Sequence, residues 1–259
     1  MAEFTSYARG TPCWVDVTST DLDRTTSFYG DLFGWEAETS PEPEAGGYTM
    51  FTLRGKNVAA GSPPPPGSPR TSSWTTYLAS DDVDDTAAKI RDAGGTVLME
   101  PFDVFDAGRM TVAKDPTGAS FGVWQANRHI GAELANEPGT LNWNQCQTPD
   151  PARAADFYAA VLGYGVDEVD VGGSQPFRVL QVEGKAVAGV REPIPQMGGA
   201  PQWSVVFSVA DTDETVAKAQ ELGGEVLVEP RDLPDIGRIA VLRDAVGAMF
   251  QVIQQPPEG

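Results

Sequence analysis

The sequence holds one histidine and two cysteines in 259 residues, and eighteen Lys and Arg side chains against thirty-seven Asp and Glu. With His129 as the only imidazole, neither a Ser/His/Asp set nor a Cys/His dyad can be assembled, and no Gly-rich phosphate loop is present. Cys13 and Cys146 are too few for a disulfide framework and sit in no CxxC pair or other metal-ligand spacing, so both are expected as reduced structural thiols. A formal charge of -19 repels phosphate backbones and anionic lipid surfaces, which argues against nucleic acid and membrane partners. No run approaches the roughly eighteen apolar residues of a membrane span, and residues 1–10 lack a charged-then-apolar secretory pattern, so a cytoplasmic protein is expected. What is present is ordinary for a globular chain, with 41% hydrophobic and 21% charged residues.

The chain repeats itself at an offset of 129 residues, without a gap. Trp14 falls on Trp143, Phe28-Tyr29 on Phe157-Tyr158, Gly34 on Gly163, Trp74 on Trp203, Gly94-Gly95 on Gly223-Gly224, and Gly108-Arg109 on Gly237-Arg238. Asp115, Gly118 and Phe121 fall on Asp244, Gly247 and Phe250. Such a period suits a duplicated domain: residues 1–126, a linker over 127–138, and residues 139–259.

Within the first half, Cys13 to Val17 alternates as a strand. Asp21 caps a helix carrying Phe28, Leu32 and Phe33 and stopped by Gly34. Tyr48 to Leu53 and Val58 to Ala60 are expected as strands around Arg54-Gly55-Lys56-Asn57. The pattern then restarts, with a strand at Trp74 to Ala79, a helix over Asp82 to Asp92 ended by Gly94-Gly95, and strands at Thr96 to Met99, Arg109 to Ala113 and Ser120 to Trp124. Each half is thus two βαβββ units. The proline-rich stretch 62–69 cannot pair in a central strand and is expected as a stiff surface connector.

Four βαβββ units resemble the vicinal oxygen chelate superfamily, which includes glyoxalase I, extradiol dioxygenases, epimerases and fosfomycin- and bleomycin-resistance proteins. The resemblance rests on Asp21-Leu22-Asp23-Arg24 with Phe28-Tyr29 and Leu32 to Trp35, Asp81 to Asp84 with Gly94-Gly95, and Asp115-Pro116-Thr117-Gly118-Ala119-Ser120-Phe121. More narrowly, residues 11–16, Arg128-His129-Ile130-Gly131 through Glu137-Pro138-Gly139, and Trp143-Asn144-Gln145 are similar to an actinobacterial branch of tandem members. That branch includes a mycobacterial glyoxalase-like antigen and proteins of antibiotic clusters labelled hydroxylases. The resemblance implies an α+β fold: a tandem repeat of glyoxalase-like domains whose four units form two curved half-barrel sheets with concave ligand cups.

It also implies where a divalent metal would be held, and those positions are poor in donors. The first-strand position falls on Trp14 and Trp143, the next on Thr75 and Ser204, and the closing-strand position on Gly122 and Gln251, while Ala60 and Gly189 offer nothing. Indole does not ligate metals, and one neutral amide cannot hold an ion alone. His129, in the linker, is assigned a surface or packing role. Asp16 and Gln145, two residues beyond the first position, share its inward face and leave a displaced metal site open.

Strand alternation groups Trp14 with Asp16, Trp143 with Gln145, Thr75 with Tyr77, Ser120 with Trp124, and Met249 with Gln251 and Ile253, on faces opposite Val15, Val17, Phe121, Val123, Phe250 and Val252. An aromatic cup with few polar fixtures suits a planar or apolar small molecule. In tandem members the first unit can pair with the fourth and the second with the third. One cup would then combine Trp14, Asp16, Ser204 and Gln251, and the other Trp143, Gln145, Thr75 and Gly122, with one twin kept for a ligand and the other become structural. The Asp81–Asp85 cluster is assigned to helix capping, Arg109 and Arg238 to strand openings, and Asp115 to Gly118 to a turn.

The expectation is a metal-independent protein without cofactor that binds an aromatic or polyketide-like metabolite in secondary metabolism or self-resistance. Its ligand-binding candidates are Trp14, Asp16, Thr75, Tyr77, Trp124, Trp143, Gln145, Ser204, Met249 and Gln251. The alternative is a glyoxalase-like lyase, isomerase or accessory hydroxylase that uses a displaced divalent metal or acid–base chemistry at Asp16. A third reading is a protein-contact module with filled cups. A monomer is expected, with a dimer as the alternative.

Overall fold

The computed structural model describes residues 2–67, 70–170 and 174–256. Ser68 and Pro69, at the end of the proline-rich stretch, lie outside the described residues, whereas Pro63 to Gly67 follow a strand as irregular chain and a turn. The first half runs β1 (Ala2–Glu3), β2 (Pro12–Thr18), α1 (Leu22–Phe33), β3 (Glu36–Thr39), β4 (Thr49–Leu53), β5 (Lys56–Ser62), β6 (Ser73–Ala79), α2 (Val83–Asp92), β7 (Thr96–Val104), β8 (Gly108–Lys114) and β9 (Ser120–Ala126). After β10 (Leu134–Ala135) the order returns: β11 (Leu141–Gln147), α3 (Pro151–Leu162), β12 (Gly165–Val169), β13 (Phe177–Val182), β14 (Lys185–Arg191), β15 (Gln202–Ser208), α4 (Thr212–Glu221), β16 (Glu225–Leu233), β17 (Gly237–Arg243) and β18 (Met249–Gln254).

Among the described residues, α1 to α4 all start on the same device, an aspartate whose side chain accepts from the backbone N–H three residues on: Asp21, Asp82, Asp150 and Asp211. In α1, Gly34 closes the helix at φ 75°, in the left-handed region that suits glycine. The acidic run at Asp82 to Asp85 is consumed locally. Asp82 caps α2, Asp84 pairs with Arg109 at 2.8 Å, and Asp85 pairs with Lys89 at 2.6 Å. Of the strands missed by periodicity, β3 and β12 are edge strands exposed throughout, so no buried face marks them, and β1 and β10 are only two residues long.

One sheet runs β3-β4-β5-β2-β6-β9-β8-β7 and the other β12-β13-β14-β11-β15-β18-β17-β16, with β1 and β10 attached beside β11. Apart from β1, which crosses over to pair with β10, each sheet is therefore built from one half of the chain. This corrects the expected first-with-fourth, second-with-third cups, because β2 pairs antiparallel with β6, and β11 with β15, closing each concave face within its own half. The cross-pairing exists on the other faces. Val15, Val17, Phe28, Tyr29 and Phe33 of the first unit share a core with Val205, Phe207, Phe250 and Val252 of the fourth. Leu78, Ile90, Phe121 and Val123 of the second share one with Phe157, Tyr158, Val161 and Leu180 of the third.

Two mirrored hydrogen-bond relays fasten these cores. Trp74 Nε1 donates to Tyr29 OH at 3.0 Å, and Tyr29 OH donates across to Asp244 Oδ2 at 3.1 Å. Trp203 Nε1 donates to Tyr158 OH at 2.7 Å, and Tyr158 OH donates to Asp115 Oδ2 at 2.9 Å. The other oxygen of Asp115 accepts from the N–H groups of Thr117, Gly118 and Ala119, so one carboxylate shapes its own turn and grips the opposite half. Removing the phenol oxygen strands a buried indole N–H and takes the short bond from a carboxylate oxygen, which at Asp115 keeps only the Cys146 thiol at 3.6 Å. Tyr29→Phe and Tyr158→Phe are each expected to cost about 2–4 kcal/mol in urea unfolding, given about 1–3 kcal/mol per unsatisfied buried group; a loss below about 1 kcal/mol in both would show the relays to be incidental.

Candidate functional site

The first cup follows from period-2 alternation. Val15 and Val17 enter the shared core, which leaves Trp14 and Asp16 on the concave face. There Trp14, Tyr77 and Trp124 form one buried cluster with Ala60, Ala79 and Ala132, with Tyr48, Met50 and Met110 packed on it at partly exposed positions. The cluster contains three of the expected aromatic residues. Tyr48 and Met50 were not among the candidates, although their alternation against the buried Phe51 in β4 carries the signal.

Polar groups converge on Asp16. Tyr77 OH donates to Asp16 Oδ2 at 2.8 Å, Tyr48 OH makes a longer contact at 3.5 Å, and Trp14 Nε1 donates to Tyr48 OH at 2.9 Å. Thr75, which pairs with Asp16 across the strands, is a further hydrogen-bond partner. Burial pushes the Asp16 carboxyl up to about 6, and the hydrogen bonds from Tyr77, Thr75 and Tyr48 only partly offset it.

The wall of this cup is completed by His129, from the segment after β9. Its ring meets Trp14 edge-on at 4.5 Å and lies 5.7 Å from Trp124, while its carbonyl accepts from Trp124 Nε1 at 2.8 Å. The packing role assigned to it from sequence is thus observed, but inside the cup. Burial pushes the imidazole down to about 4, opposed by the nearby Glu133 carboxylate.

The second cup is filled. Gln145 Nε2 donates to Gln251 Oε1 at 3.2 Å, and both Gln251 Nε2 and Gln147 Nε2 donate to Ser204 Oγ, at 2.8 and 3.0 Å. Over this network the 3-10 turn at Pro195–Met197 packs Ile194 and Met197 against Val241, Leu227, Val228 and Met249. The residues 129 positions before Leu227 and Val228 are Leu98 and Met99, which remain 49% and 47% exposed. Trp143 is not gathered into this packed centre; it is half-buried and lines an open groove of about 510 Å³ beside Tyr7 and Lys185.

A metal does not fit these residues. A Cβ at Gly122 would lie 2.2 Å from Tyr77 Cδ1, and one at Gly189 would lie 2.2 Å from Phe177 Cζ, so ring atoms occupy the space in which donors at those positions would stand. The amide of Gln251 is engaged on both sides. Among the described residues, no group of three or more His, Cys, Asp or Glu is placed to share an ion.

The pattern of the glyoxalase/bleomycin resistance protein/dioxygenase superfamily matches residues 13–123, and that of a glyoxalase-like domain matches residues 144–253. The chain is 47% identical over 261 residues, all of both chains, to CFP32 of Mycobacterium bovis, named as a candidate glyoxylase. It is 40% identical over 264 residues, 96% of this chain and 95% of the relative, to the anthracycline biosynthesis protein DnrV of Streptomyces peucetius. The Mn(II)-bound glyoxalase of Novosphingobium aromaticivorans shares the fold, with TM-score 0.67 at 17% identity over 96% of this chain and 83% of that one.

The two titrating groups of the first cup bias stability in opposite directions. Asp16 keeps in the folded state a proton that the unfolded chain releases near pH 3.8, so its contribution falls as pH rises from about 4 to 6. His129 stays neutral where the unfolded chain is protonated, so its contribution is present above its ordinary 6.5 and is lost as pH falls towards about 4. Asp16→Asn should therefore gain about 2 kcal/mol relative to the unsubstituted protein between pH 4 and pH 7, measured by urea unfolding at both; an unchanged difference would contradict a raised Asp16. For the second cup, Met197→Ala is expected to cost about 2–4 kcal/mol and Leu98→Ala less than about 0.5 kcal/mol, which distinguishes the plugged half from the one without that plug.

Proposed function

Because the chain belongs to the glyoxalase/bleomycin resistance protein/dioxygenase superfamily, whose scaffold carries many activities, its function has to be argued from its own cup. We propose that it is a metal-independent small-molecule-binding protein that holds a planar aromatic or polyketide-like metabolite in its first cup. The observation that carries this reading is the aromatic wall of Trp14, Tyr77 and Trp124, with Asp16 as its polar fixture and ring atoms in the places where metal donors would stand. Aromatic walls supply contact area, and a few placed polar groups fix orientation. The relative named for anthracycline biosynthesis supports an aromatic polyketide as the ligand class and secondary metabolism or self-resistance as the setting. No helix among the described residues is long and apolar enough to cross a membrane. On this reading the protein acts as a cytoplasmic monomer that sequesters its ligand or hands it to an enzyme.

A second reading is favoured by one feature. A carboxyl raised to about 6 is matched to proton transfer near neutral pH, so Asp16 could serve as a general acid–base in a lyase, isomerase or accessory hydroxylase. Native and denaturing mass spectrometry of freshly purified protein tests both readings. The binding reading expects an organic adduct in the native mass and no stoichiometric transition metal. A stoichiometric metal would overturn metal-independence, and turnover of the recovered compound, lost in Asp16→Asn, would establish the enzyme.

A further inference from the structure

Among the described residues, one buried side-chain nitrogen or oxygen has no hydrogen-bond partner: His129 Nε2. The backbone that carries it is held firmly. His129 N donates to Ala107 O at 3.0 Å, and its carbonyl accepts from Trp124 Nε1. Two residues on, Gly131 lies so close to β2 that a Cβ there would be 2.2 Å from Cys13 O, and Ala132 N donates to that oxygen at 2.8 Å. The segment between the halves therefore presents an imidazole to the first cup in a fixed position. A phenyl ring would fill the same space against Trp14 without leaving a polar atom unpaired, which is costly in a buried site.

The chemistry of the vacant partner is restricted. Burial holds the ring neutral at physiological pH, so Nε2 is a lone pair or a single N–H and not a cation. A hydroxyl can donate to the first or accept from the second, whereas a carbonyl or ether oxygen satisfies only the second. An anionic ligand would meet the Asp16 carboxyl and a chain of charge -19. Met50 and Met110, packed on the same cluster, are partly exposed and unbranched, the side chains best able to give way to a ring that reaches Nε2.

We propose that His129 is a specificity-determining residue of the first cup, its Nε2 making a hydrogen bond with the hydroxyl of a neutral hydroxyaryl ligand. The inference rests on the binding reading above and adds the ligand class and the atom that selects it. A ring stacked on the wall is anchored at the Trp14–Tyr48–Asp16 chain on one side and tested for a hydroxyl by His129 on the other.

A chain with one histidine gives one set of imidazole nitrogen resonances, so 15N NMR reads the contact directly. The probes are 1-naphthol and naphthalene, with affinities from titration calorimetry. The expected result is a shift of the Nε2 resonance with 1-naphthol alone and about tenfold tighter binding of 1-naphthol, the ratio that one hydrogen bond of about 1.4 kcal/mol supplies. His129→Phe should bring the two affinities together, and His129→Gln, which restores a polar partner, should recover part of the preference. Equal binding of both probes, or a preference that survives in a folded His129→Phe, overturns the role of His129 while leaving the cup as a binding site. Failure of both probes to bind overturns the cup reading together with it.

Discussion

The architecture depends on two aspartates placed 129 residues apart, Asp115 and Asp244, each of which spends one oxygen on its own turn and the other on a tyrosine from the opposite half. The bond is short-range and directional, and it lies inside the shared cores, where low polarity strengthens it and punishes its loss. Its position explains why the halves join through their helical faces. The units that exchange apolar side chains are first with fourth and second with third, whereas the units that exchange backbone hydrogen bonds are first with second and third with fourth. The two concave faces are consequently free of the dimer-like contact and can change independently.

They have done so. In the second half a short 3-10 turn carries Ile194 and Met197 into the concavity, and glutamine amides satisfy one another and Ser204 beneath it. In the first half the corresponding chain is rich in proline, and the residues that a plug would cover, Leu98 and Met99, are half-exposed. A filled concavity contributes packing energy as any core does. The first concavity lacks that plug and is lined instead by the buried rings of Trp14, Tyr77 and Trp124, with the partly exposed Tyr48, Met50 and Met110 packed on them.

Much of this was legible in the sequence because it is local or periodic. Alternation put Trp14, Asp16, Tyr77 and Trp124 on one face, aspartate caps located the two helices of the first half, and the offset of 129 revealed the duplication. Cup partnership was not legible, since alternation says which way a side chain points but not which strand lies beside it; a resemblance to other tandem members supplied the wrong neighbour for Asp16. The placement of His129 was hidden for another reason. It belongs to a connecting segment with no period, and tertiary contacts bring it onto Trp14: the close approach at Gly131 and the backbone hydrogen bonds to Ala107 and Trp124. The plug at Met197 likewise depends on a loop crossing from β14 to the face of β17, a tertiary event with no signature in its own residues.

The contact between Gly122 and the Tyr77 ring has an evolutionary consequence. Any single change that gives position 122 a side chain collides with the phenol ring, and removing that ring first deprives the buried Asp16 of the hydrogen bond from Tyr77. Each order of substitution passes through a damaged intermediate, a form of steric epistasis. The chain can diversify around this cup by exchanging its walls, but a route that builds a side-chain donor into the closing strand is blocked one step at a time.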